Sequence, residues 1–362
     1  MKETRIARVM KALKDMGISQ MLVIDTMSIY YMTDVLVHPG ERFYGLLLKD
    51  NGEHVFFINK LFTVPQNVPI EQVWYSDTDP VMDFVAKYVD SDKVLGVDKD
   101  LKARFLLPLM ESGAAKGFVN SSFAVDITRG IKDDEEQKKM REASLINDQA
   151  MAVFKTLIYD GVSEKEVAEQ MLKVYLDLGA EGFSFEPIVS FGANAADPHH
   201  MPDDTILKEG DCVLFDVGCV KNGYCSDMTR TFYYKYVSEE CRQIYDTVRA
   251  ANETAESIVK PGVSLSELDD AARRLITDAG YGPNFTHRLG HFIGLDEHEF
   301  GDVSAVSTWI AHPGMIFSIE PGIYLEGNTG VRVEDLVLVT EDGCEVLNRY
   351  PKELEIIDPV FV

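Results

Sequence analysis

The run Phe215-Asp216-Val217-Gly218-Cys219-Val220-Lys221-Asn222-Gly223-Tyr224-Cys225-Ser226-Asp227 constrains this chain more than any other segment. Two β-type stretches meet at Asn222-Gly223, a pair that suits the positive φ angles of a type I′ hairpin turn. With those two residues as the loop, Asp216 faces Thr229 and Gly218 faces Asp227. Cross-strand partners share a face and side chains alternate along a strand, so positions 216, 218, 225, 227 and 229 fall together. Asp216 and Asp227 become diagonal neighbours about 7–8 Å apart, as two carboxylates must be to grip one or two cations. A half-exposed hairpin would carry the same acids toward solvent, so a second observation has to decide.

That observation is another acid-bearing hairpin. Stretches 315–322 and 330–339 flank Glu326-Gly327-Asn328-Thr329, and a turn centred on Gly327 sets Glu320 opposite Glu334; a one-residue slip sets it opposite Asp335. Acids inside apolar strands carry a heavy desolvation penalty unless a cation offsets it. Six of the eight histidines lie after residue 198, and three fall within the twelve positions 287–298. Their spacing is neither H-E-x-x-H nor a zinc-finger pattern. One imidazole with four carboxylates makes a mostly oxygen-donor set, which suits Mn²⁺, Co²⁺ or Zn²⁺.

Up to about residue 125, apolar runs at 21–24, 44–48, 54–58 and 94–97 read as strands, and 3–16, 80–90 and 101–112 as helices. Such interleaving suggests a small α/β domain. Asp133-Asp134-Glu135-Glu136 then puts acids at the start of a long helix to about 158, where they favour its positive end. Helical blocks follow at 163–178, 238–259 and 264–280, and the hairpin-bearing stretches 211–236 and 314–340 predict two similar halves. The expected division of this α/β (α+β) chain is 1–125 and 126–362. Sixty acids against 35 bases leave a formal charge of −25, which argues against nucleic acid or an anionic membrane as a partner. Five cysteines without a C-x-x-C pair argue for a reducing compartment. The N-terminus begins a charged amphipathic helix rather than a signal peptide, and no stretch approaches the ~20 apolar residues of a membrane span. The expected location is the cytoplasm.

Five motifs in order resemble the pita-bread metallopeptidases, the prolidase and aminopeptidase P family. They are Phe191-Gly192-Ala193-Asn194-Ala195-Ala196-Asp197-Pro198-His199; Asp216-Val217-Gly218 with Ser226-Asp227-Met228-Thr229-Arg230; Gly290-His291-Phe292-Ile293-Gly294 with His298-Glu299; Ser318-Ile319-Glu320-Pro321-Gly322-Ile323-Tyr324; and Gly330-Val331-Arg332-Val333-Glu334-Asp335. Ile131-Lys132-Asp133 resembles the start of the family's catalytic domain, and the first 125 residues resemble its creatinase-type domain.

The resemblance implies an N-terminal creatinase-type α/β domain, then a pita-bread catalytic domain of two similar α/β halves holding two divalent ions, with manganese first and cobalt or zinc otherwise. Asp216 would bind one ion, His291 and Glu320 the other, and Asp227 and Glu334 both. A water activated between the ions would attack the scissile carbonyl, Glu320 would relay its proton, and His199 and His298 would stabilise the oxyanion. His287, Arg332 and Thr229 would support the ligands from behind. The implied substrate is a small peptide with proline at position two, cut by a homodimer. Many prolidases anchor a dipeptide carboxylate with an Arg shortly after the His-Glu pair, yet 300–312 holds neither Arg nor Lys, which leaves Arg288 or Arg332 for that task. The expectation is an Xaa-Pro dipeptidase (prolidase). An aminopeptidase P acting on longer peptides, a creatinase-like hydrolase without metal and a non-catalytic pita-bread scaffold are the alternatives.

Overall fold

The computed structural model describes residues 2–65 and 68–358; positions 1 and 359–362, the outer ends of the two expected spans, lie outside them. The chain divides into two compact units, Met1–Arg129 and Gly130–Val362. In the first, a six-stranded sheet runs in the spatial order Glu71–Tyr75, Val55–Asn59, Gly45–Lys49, Gln20–Val23, Val94–Val97, Gly117–Asn120. Leu22, Leu47, Phe57 and Leu95 of this sheet share one core with Val85 and Leu109 of helices Val81–Tyr88 and Ala103–Glu111. The two outermost strands are only partly buried, which weakens the alternation by which a strand is read from sequence. Helices Thr26–Thr33 and Phe123–Gly130, only eight residues each, are likewise additions to the expected pattern.

The second unit repeats one order of elements twice. Helices Asp134–Phe154 and Glu164–Asp177 precede strand Ile188–Phe191 and the hairpin strands Cys212–Val217 and Met228–Tyr234. Helices Glu239–Ser257 and Leu265–Asp278 likewise precede Gly290–Phe292 and the hairpin strands Ile316–Ile319 and Asp335–Val339. In each sheet the first hairpin strand lies between its partner and the preceding strand, antiparallel to both. Asp133 opens the first helix with a reciprocal cap to Glu136, and Ser163 does the same with Glu166 for the second. Among the described residues no helix is long and apolar enough to cross a membrane.

Both hairpins fork. The first keeps the register set by Asn222-Gly223, with Asp216 on Thr229 and Lys221 on Tyr224, but its outer piece leaves to join Gly182–Phe183 in a separate small sheet. A side chain on Gly218 would collide with the Ser226 carbonyl, so glycine permits the close approach at this fork. The second hairpin keeps the register centred on Gly327, with Ile319 on Asp335 and Gly322 on Arg332, and its ladder breaks between those pairs. The slipped register is absent, and Asp335 instead pairs with Arg230 at 2.7 Å and Lys352 at 2.8 Å. A broken ladder leaves buried carbonyls that need donors. Asn147 supplies one to Val217 at 2.9 Å, and Asn252 supplies one to Ile319 at 2.8 Å, each from the first helix of its half.

Candidate metal centre

The forks deliver the acids. Asp216 is the penultimate residue of its strand, while Asp227, Glu320 and Glu334 sit in the breaks, where side chains leave the sheet. They line one cavity of about 330 Å³ with His291, His199, His287, Arg288, Glu297, His298 and Arg332; Phe185, Ile188 and Pro198 form its apolar wall. His291 Nδ1 donates to the Phe292 carbonyl at 3.2 Å, so Nε2 keeps its lone pair. That lone pair faces Asp227 at 3.5 Å, Glu320 at 3.6 Å and Glu334 at 4.0 Å. Acceptors facing acceptors need a proton or a cation between them. Asp216 Oδ1, Asp227 Oδ1 and Glu334 Oε1 are buried and have no hydrogen-bond partner among the described residues. Each such orphan costs roughly 1–3 kcal/mol, more for a charged group. Two divalent ions would remove that cost, and four carboxylates with one neutral imidazole fit them as donors.

Burial leads every resolved shift in the cluster. It raises Asp227 well above the carboxylate range, with the charges of Glu334 and Asp216 adding to it. Glu334 moves the same way, from burial and then Glu320. Burial pushes Glu320 up to about 7, and it lowers His291 to about 3 with help from His298. The imidazole is therefore neutral at physiological pH, and the acids call for positive charge.

Behind the ligands stands a buried relay. Arg332 gives Nε to Thr229 at 3.0 Å, one guanidinium nitrogen to Asp216 at 2.6 Å and the other to Tyr324 at 2.8 Å. Thr229 in turn donates to Glu334 at 2.6 Å. His287 Nδ1 donates to the Arg288 carbonyl, so its Nε2 accepts from the Tyr324 hydroxyl at 2.9 Å. Ser318 joins the two metal-side motifs, accepting from the His291 amide at 3.0 Å and donating to Glu320 at 3.1 Å. The His298 ring lies 4.2 Å from that of His291 with its side chain 52% exposed, and His199 is exposed at the cavity rim. Glu299, which shares a motif with His298, turns away and forms a buried pair with Lys132 at 2.9 Å.

Three other features carry no assignment from the sequence alone. Glu164, fully buried, accepts from the amides of Phe191 and Asp203, from the Asn194 side chain and from His200 Nε2, clasping the segment that carries His199. Although Glu164, His200 and Asp203 have metal-ligand spacing, both Glu164 oxygens are already satisfied. Asn147 lies among buried Ala143, Ala150 and Met151, and a polar residue on an apolar helix face was the available clue. Tyr324 lies in a quoted motif, but its sequence position does not disclose its two partners.

Comparison with known proteins bears on this geometry. The model for metallopeptidase family M24 matches residues 138–341, and that for the creatinase/prolidase N-terminal domain matches 5–131. An uncharacterized peptidase of Staphylococcus saprophyticus is 36% identical over 357 residues, covering 96% of this chain and 100% of that one. Among solved structures, a dipeptidase from Pyrococcus horikoshii OT3 shares 33% identity at a TM-score of 0.91, covering 97% of this chain and 99% of that one. An Xaa-Pro dipeptidase from Bacillus anthracis shares 33% at 0.89, covering 98% and 99%. Because the catalytic model spans more than half of the chain, on the unit that holds the acid-lined cavity, this protein belongs to metallopeptidase family M24 and carries the pita-bread fold behind a creatinase-type domain.

Proposed function

We propose that the protein is a dinuclear Xaa-Pro dipeptidase of the cytoplasm, working as a homodimer with Mn²⁺ as its preferred metal. The observation that carries this reading is the neutral His291 Nε2 facing buried Asp227 and Glu334 and the partly buried Glu320. Asp216 would hold one ion, His291 and Glu320 the other, and Asp227 and Glu334 both. When bound, the ions would polarise the scissile carbonyl and ready a water for attack near neutral pH. Glu320, held by burial near 7, is suited to accept a proton and return it to the leaving nitrogen. His199 and His298 stand at the rim as donors for the carbonyl oxygen. An Xaa-Pro bond offers no N–H, so recognition must use the ring's shape, which the wall of Phe185, Ile188 and Pro198 suits.

Substrate length turns on the two arginines. Arg332 is buried and engaged by Asp216, Thr229 and Tyr324, whereas Arg288 is exposed on the cavity with no ion-pair partner among the described residues. A free guanidinium there supports a dipeptide carboxylate over the longer peptides of an aminopeptidase. The test is an assay of Xaa-Pro dipeptides and Xaa-Pro-Xaa tripeptides after chelation, with metal added back, alongside Asp227→Asn. Activity should return with metal, and the variant should lose more than the roughly 10–100-fold typical of outer-shell changes. Full turnover by chelated protein would refute the reading, and light scattering at micromolar concentration checks the dimer.

A further inference from the structure

Glu297 lies on the cavity wall but outside the five-residue ligand set. Asp216 and Asp227 line the same cavity, so the three carboxylates open onto one space. Among the described residues its one charged contact within 4.0 Å is His298 Nδ1, at 3.3 Å. The Glu297 side chain is 29% exposed, against 5% for Asp227 and 2% for Glu334. The floor of the cavity therefore belongs to the acids that would hold metal, and Glu297 stands higher, toward solvent.

This position has a consequence for substrates, which rests on the Xaa-Pro peptidase reading. Two divalent ions would balance the four carboxylates of the floor, and Arg332 is engaged with Asp216, so Glu297 is a carboxylate that the ligand chemistry leaves without a cation. Reacting backbone atoms must lie on the floor, while the side chain of the residue before proline extends along the wall. The apolar wall of Phe185, Ile188 and Pro198 serves the proline ring, and Glu297 is the lining carboxylate outside the metal set that remains for that side chain. We propose that Glu297 is a specificity residue that favours peptides whose residue before proline is cationic, lysine or arginine. Burial holds this carboxylate back from ionising, and an incoming ammonium or guanidinium favours its charged form.

Glu297→Gln keeps the shape and removes the charge. With Mn²⁺ present, the wild type should hydrolyse Lys-Pro with a higher kcat/KM than Leu-Pro. The variant should lose about tenfold on Lys-Pro, mostly in KM, and less than about twofold on Leu-Pro. Equal losses on both peptides would overturn the inference and assign Glu297 to positioning His298; no loss on either would overturn it too. Wild-type protein inert toward every Xaa-Pro peptide would fail the functional reading itself, an outcome distinct from cleavage of Leu-Pro and Lys-Pro without preference.

Discussion

Arg288 and Arg332 line one cavity, and their neighbours give them different work. The guanidinium of Arg332 touches Asp216 directly and Glu334 through Thr229, so its removal disturbs ligands on both hairpins. Among the described residues the Arg288 guanidinium has no such bonds. If Arg288 reads a substrate carboxylate, Arg288→Ala should raise KM for Xaa-Pro dipeptides about tenfold more than for tripeptides, because only the dipeptide ends there. Arg332→Ala should lower kcat/KM on both lengths alike. Steady-state kinetics on matched substrates checks both, and equal losses from Arg288→Ala would remove it as the anchor.

At the scale of elements, the device that builds the centre is a hairpin that forks. Interrupting a ladder frees side chains to leave the sheet, but it also strands carbonyls in the core, and one buried Asn per half answers that need. Replacing Asn252 with Ala leaves the Ile319 carbonyl without that donor next to Glu320, at an expected cost of about 1–3 kcal/mol in denaturant melts. Asn147→Ala should cost a similar amount through Val217. Much of this design was legible in the sequence. Asn222-Gly223 set the register of the first hairpin, Gly327 that of the second, and the acids at 133–136 marked the start of a helix. The forks were not legible, because alternation continues across a break such as 217–219 and only pairing in space ends. Edge strands such as Glu71–Tyr75 lie outside the sequence reading because partial burial blurs their periodicity. Relay partners such as Tyr324 and Ser318 escaped assignment because their roles depend on atoms brought from distant strands.

For the whole molecule, the same buried acids tie stability to pH and metal. Glu320 is held near 7 against 4.5 for a free glutamate, and Asp227 and Glu334 are raised further. Around pH 7 Glu320 of the folded, metal-free protein is therefore still partly protonated where the unfolded chain is not, and the raised pair Asp227 and Glu334 acts in the same direction. Stability rises with pH only where the unfolded state binds more protons, so this cluster makes it fall as pH climbs past 7. Below 7 the depressed histidines His287 and His291 act in the opposite sense, because the unfolded chain protonates them first. The clean window is thus pH 7 to about 8.5, where histidines are neutral in both states. Divalent ions take the place of the retained protons, so metal binding should release protons and stabilise more at the upper end of the window. Thermal melts of chelated protein should show Tm falling between these pH values, and the Tm gain from added Mn²⁺ should be larger at pH 8.5 than at pH 7. Asp227→Asn supplies the control, since removing one of the coupled charges should flatten the fall in Tm and shrink the gain from metal. A metal-free Tm that rises across the window would mean that the acids are ionised without an ion, compensated by groups outside the cavity.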